Sequence, residues 1–270
     1  MSTGPTADTR AGGGAGQTSS VFHRRHGLPD DWLDIVTAQV GIWALLDDDE
    51  RETVVATADW LLRHKNWEAA NGFALTDVMT VTVAVQAAVL VLGLDVDELR
   101  ELSAVIFYPS AMVSVGARQG PASGTVSDGV IPILGEAHER RGPVLIAWDE
   151  AEVAARQPGR GHNVVLHELA HKLDMVDHLV DGRPVLGGRV DTERWFAVCH
   201  EVFAAMQRGV DRPPMDPYGA TNPAEFFAVA TEVFFDVPTQ LEHHEPELYD
   251  VLRGYYHQDP ATRVRRGRRD

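Results

Sequence analysis

Apolar residues recur at helical spacing through both ends of this chain and give way to short continuous runs in its middle. Asp30 to Leu45 and Asp49 to His64 carry the helical pattern, and in the second Val54, Ala58, Leu61 and Leu62 fall on one face. Trp67-Glu68 leads into Ala69-Ala70-Asn71-Gly72, which reads as a turn. Val78 to Leu94 is apolar apart from Thr80, Thr82 and Gln86, and is bounded by Asp77 and Asp95. It falls short of the ~20 residues that a membrane span requires, so it predicts a buried helix, with Thr76 as its N-cap. Val105 to Tyr108, stopped by Pro109, predicts a strand, as do Val130-Ile131 and Val144 to Trp148. Gly120 to Gly129 and Gly135 to Gly142 are the loops between them. Helices return with Gly161 to Val176, with Thr192 to Arg208 capped by Asp191, and with Asn222 to Phe235, where Pro223 suits a first turn. The order predicts an α+β fold, mostly helical, with a small mixed β-sheet packed against the helices.

Composition changes the picture only at the ends. Met1 to Ser20 is rich in Gly, Ser and Thr and is expected to be a disordered tail. Residues 21–260 are expected to form one domain, followed by a basic tail over 261–270 that carries five arginines. The formal net charge of -16 argues against nucleic-acid or anionic-membrane binding, since both require a basic face. A single cysteine, Cys199, excludes an internal disulfide and a thiolate metal cage. It lies in an apolar run and reads as a small buried hydrophobe. With no apolar leader in the first twenty residues, the expected location is cytoplasmic.

The chemistry concentrates in His167-Glu168-Leu169-Ala170-His171. Histidines four apart on a helix differ by about 40° around its axis, so both rings can reach one Zn²⁺ ion. Glu168 lies beside that face, where a carboxylate meets a metal-bound water rather than the metal: two ligands and one general base, as in metalloproteases. A catalytic zinc needs a third protein ligand. Asp177 has the spacing, but the chain would have to turn sharply at Asp174, where there is no glycine; if the helix continues, Asp177 rotates about 80° away from His167. Asp174 itself stays on the ligand face, placed to orient an imidazole. The other contender is Glu225, at the start of a later helix, with Tyr218 seven residues before it as a donor to an oxyanion. Glu232 shares the helical face of Glu225 and is expected to act behind the ligands, since carboxylates within so apolar a run (Phe226, Phe227, Val233, Phe234, Phe235) need partners.

Asn163-Val164-Val165 with His167 to Met175, and Tyr218 through Asn222-Pro223-Ala224-Glu225 to Phe235, resemble the Mlc titration factor A family of bacterial zinc peptidases. Weaker similarities are Trp67-Glu68, Leu75-Thr76-Asp77, Tyr108-Pro109 and Val144 to Trp148, so the resemblance spans roughly residues 25 to 257. It implies a zincin-like fold of gluzincin type, related to the catalytic domain of anthrax lethal factor. It also implies His167, His171 and Glu225 as zinc ligands, Glu168 as general base and Tyr218 as oxyanion stabiliser. The expected activity is aminopeptidase-type hydrolysis of a peptide substrate. The alternative is a regulatory protein that sequesters a transcriptional repressor.

Overall fold

The computed structural model describes residues 26–267, except 71, 101, 111–141, 176–181, 183 and 187–191. The first segment divides into α1 (Trp32–Gln39) and a short 3-10 turn (Gly41–Leu45), because Val40 takes an extended conformation between them. Helix α2 (Asp48–His64) starts at a reciprocal cap: Glu50 N–H donates to Asp47 Oδ1 and Asp47 N–H to Glu50 Oε2, both at 3.0 Å. Its buried face is Val54, Ala58, Leu61 and Leu62, as the spacing predicts. The segment after it, expected as a turn from Ala69, first forms strand β1 (Asn66–Ala69).

Helix α3 (Asp77–Leu90) begins at Thr76, whose hydroxyl accepts from Met79 N–H, and every residue from Met79 to Leu90 is buried. It links β1 to β2 (Ala104–Tyr108), and β3 (Val144–Ala147) pairs on the far side of β2. Both pairings are parallel, with Asn66 opposite Ala104 and Val105 opposite Val144. The described strands are thus parallel throughout, where a mixed sheet was expected; a helical crossover such as α3 returns the chain to run in the same direction. Trp148, expected at the end of the third strand, instead opens α4 (Trp148–Arg156). Val130-Ile131, the first glycine loop, the second except Gly142, Asp191 and the N-terminal twenty residues lie outside the described residues.

The remaining helices are α5 (Val164–Asp174), α6 (Thr192–Gln207), α7 (Pro223–Asp236), α8 (Pro238–His244), α9 (Pro246–Tyr256) and α10 (Pro260–Gly267). One hydrophobic core joins α1 to α9 and the sheet, and α10 closes onto it through Ala261. Helices α5 and α7 pack side by side, with α3 against α5. No helix among the described residues is long and apolar enough to cross a membrane.

Helix α10 corrects the expectation of a loose basic tail. Its arginines are paired with acids distant in the chain: Arg263 with Glu50 at 2.7 Å, Arg266 with Asp47 at 3.0 Å, and Arg265 with Glu242. Tyr249 Oη accepts from Ala261 N–H at 3.1 Å and donates to Asp259 at 2.7 Å, which ties the helix start to α9. Arg263 is 4% exposed. Glu50→Ala would leave this guanidinium buried without its counter-charge, a change that costs ~3–5 kcal/mol for a fully buried pair. Because the Glu50 side chain keeps 20% of its surface in water, we expect a loss of about 2–3 kcal/mol, read from the midpoint of urea unfolding.

Candidate metal centre

Two capped helix starts build the centre. Asn163 Oδ1 accepts from Val165 N–H at 3.1 Å and Leu166 N–H at 3.2 Å, starting α5 just before the first histidine. Leu166, Leu169, Ala170 and Leu173 bury the back of that helix and leave His167, Glu168 and His171 half-buried on the other side. Before α7, Asp216 Oδ1 accepts from Tyr218 N–H at 2.8 Å, which fixes the turn that carries Tyr218. Asn222 then accepts from Glu225 N–H at 3.0 Å, and Pro223 holds the first turn. Glu225 and Glu232 are seven residues apart, about two turns, so both face α5.

Three donor atoms converge. His167 Nε2 and His171 Nε2 lie 3.2 Å apart. Glu225 Oε2 lies 3.1 Å from the first and 3.5 Å from the second. A tetrahedral ion with bonds of ~2.0–2.1 Å separates its ligand atoms by ~3.3–3.4 Å. The triangle therefore has the size of one face of such a coordination shell, and imidazole with carboxylate is a donor set suited to zinc. Among the described residues, His167, His171 and Glu225 are the one group of three or more His, Cys, Asp or Glu that could hold a metal ion. Asp177, the nearer contender, lies outside the described residues.

Glu232 is the carboxylate behind the first histidine: its Oε1 is 2.6 Å from His167 Nδ1. Its other oxygen accepts from Asn163 N–H at 2.6 Å and lies 3.1 Å from Nδ1 of His162. Spacing gave no sign of His162, which precedes the helix and exposes 70% of its side chain; only the fold brings it to Glu232. Asp174, expected to orient an imidazole, is fully buried and accepts from Gly182 N–H at 2.9 Å. That bond holds Gly182 against the start of α7, where an added Cβ would clash with the Pro223 carbonyl.

Electrostatics follow the geometry. Burial alone would lower the His167 pKa, but Glu225 and Glu232 on its two ring nitrogens push it up to about 10. Burial works to raise Glu225 and Glu232 as well, and the histidines facing each hold them below the ordinary carboxylate range. Glu168 moves the other way: burial raises it, against the charges of His167 and His171. Tyr218 exposes 41% of its surface, with its ring centroid 6.2 Å from that of His167. Its phenol is held protonated, pushed up to about 12 by burial and by Glu225 and Glu168. Cys199 is a thiol raised to about 12 by burial alone.

Two imidazoles and a carboxylate on packed helices form a candidate metal centre, and the match over most of the chain gives its class, a metallopeptidase. The chain belongs to the glucose-regulated metallo-peptidase M90 family, which it matches across residues 17–257. It is 34% identical to an uncharacterized protein of Synechocystis sp. over 86% of each chain. It is 32% identical to the Mlc titration factor A of Pectobacterium atrosepticum, over 84% of this chain and 86% of that one. With the Mlc titration factor A of Yersinia enterocolitica the identity is 33%, over 84% and 85%.

Because a metal on Nε2 must displace the proton that Glu225 favours there, zinc affinity is expected to fall as the pH is lowered, by up to about tenfold per unit for each proton displaced. Titration with zinc against a competing chelator at pH 6, 7 and 8 measures this. Glu232→Gln, which keeps the shape and removes the charge, should weaken zinc binding ~10–100-fold.

Proposed function

We propose that this protein is a zinc-dependent peptidase of aminopeptidase type, acting in the cytoplasm. His167, His171 and Glu225 hold the ion, Glu168 is the general base and Tyr218 the oxyanion donor. The observation that carries the reading is the triangle of 3.1, 3.2 and 3.5 Å between the three donor atoms, with the Tyr218 ring 6.2 Å from that of His167. Bound zinc supplies Lewis acidity to the attacking water and to the scissile carbonyl. Glu168 takes the proton from that water at its carboxylate and delivers it to the leaving amine. Its burial supports the role, since a carboxylate of raised pKa accepts and releases protons nearer neutrality. Tyr218, protonated throughout the physiological range, donates its hydroxyl hydrogen to the oxyanion. Glu232 keeps the His167 proton on Nδ1 and so presents Nε2 as the ligand.

The name of the Pectobacterium and Yersinia relatives favours a second reading, in which the chain titrates a transcriptional repressor and hydrolysis is subordinate. The presence of base, donor set and phenol in one place supports hydrolysis as the primary one.

Glu168→Gln should retain zinc and lose ~10²–10⁴ in kcat, the contribution of general base catalysis. Tyr218→Phe should lose ~10²–10³, as for an oxyanion donor. Unchanged turnover of aminoacyl p-nitroanilides by Glu168→Gln would refute the mechanism. Glu225→Ala should lose zinc and Asp177→Ala should keep it, and metal analysis showing the reverse would move the third ligand. Capture of a repressor by Glu168→Gln as well as by wild type, with no peptide cleaved by either, would establish the second reading.

A further inference from the structure

Gln86 stands out in α3. Every residue of that helix from Met79 to Leu90 is buried, and Gln86 is its one amide, 3% exposed. Such a group is costly in an apolar helix unless its bonds are met. Its Oε1 accepts from Asn163 Nδ2 at 2.8 Å, and its Nε2 faces the Thr82 carbonyl at 3.4 Å. The strong bond of the two therefore leaves α3 and ends at the residue that starts the metal-bearing helix.

Asn163 is 6% exposed and has three tasks. Oδ1 caps α5, Nδ2 reaches Gln86, and the backbone N–H donates to Glu232 Oε2 at 2.6 Å. The remaining oxygen of Glu232 is 2.6 Å from His167 Nδ1. An N-cap residue is extended, here with φ -146° and ψ 97°, and the helix ladder does not fix the direction of its N–H. The side chain does so only if both of its ends are held. One end is held by the cap and the other by Gln86.

We propose that Gln86 and Asn163 are positioning residues of the metal centre. Together they aim the Asn163 N–H at Glu232, and that carboxylate in turn sets the angle of the His167 ring. The inference rests on the reading of His167 as a metal ligand. If Gln86 is removed, Asn163 can turn on its cap, the bond to Glu232 lengthens, and the carboxylate is left to His167 and the solvent-facing His162. The ligand then loses its fixed direction while substrate contacts are untouched.

The experiment uses the full chain. Zinc affinity is measured by competition with a chromophoric chelator, and kcat and KM are measured separately on aminoacyl p-nitroanilides. Gln86→Leu and Asn163→Ser, which keeps a capping hydroxyl, should each lower zinc affinity and kcat by about tenfold, the lower end for partners of metal ligands, with KM unchanged. In the double variant the losses should not multiply, because either change breaks the same chain of bonds. Wild-type zinc affinity and kcat in both single variants would overturn the proposal, even if their melting temperatures fall, since the bond would then be a structural tie alone. Losses that multiply would also overturn it. If one single variant does not fold, the other decides by the same two measurements. A wild type without zinc or turnover, or His171→Ala binding zinc as wild type does, would instead refute the ligand assignment, and these are measured first.

Discussion

The bond between His167 Nδ1 and Glu232, 2.6 Å across the seam of α5 and α7, is the interaction on which the rest of the centre depends. With Nδ1 turned to Glu232, Nε2 is the ring atom that faces His171 and Glu225. The same carboxylate accepts the N–H of Asn163, so the ring, the start of α5 and the middle of α7 share one anchor. Without it, the two helices would still pack through their apolar faces, but nothing would set the ligand direction.

Placing a carboxylate 2% exposed among phenylalanines is unfavourable unless its oxygens are bonded. Glu232 meets this with donors on both oxygens, and Asp236 does so one turn later, accepting from the Gly159 N–H at 3.0 Å and from that of Gly161. Both acids lie on α7, and both hold the stretch of chain that leads into α5. The buried polar groups of α7 thus fasten the helix of the two histidines at its entry, and at its far end Asp174 is bonded to Gly182. Rigidity at both ends suits a site whose ligand atoms must stay within a few tenths of an ångström.

Spacing and capping are most informative for the helices. The face of α2, the all-round burial of α3, the Thr76 cap and the span of α7 follow from spacing and capping alone. They are least informative where pairing is remote. Nothing local in Asn66 to Ala69 marks a strand, and its status comes from the parallel neighbour at Ala104. The arginines at the end read as a solvated tail because their partner Glu50 is 213 residues away.

The sequence alone determined the candidate groups: two histidines and a glutamate at helical spacing, and a capped second helix that offers Glu225, Glu232 and the Tyr218 turn. These are local properties, set by 3.6 residues per turn and by caps that act within a few residues. Only the tertiary structure decided which carboxylate stands behind which histidine. Asp174 and Glu232 are both on a suitable face by spacing, yet Glu232 reaches His167 while Asp174 turns to Gly182. It likewise decided that His162 and Gln86 belong to the same network. The reason is distance along the chain: these bonds join residues 65 to 77 positions apart, or lie outside any regular period, and only the packing of α3, α5 and α7 brings them within reach.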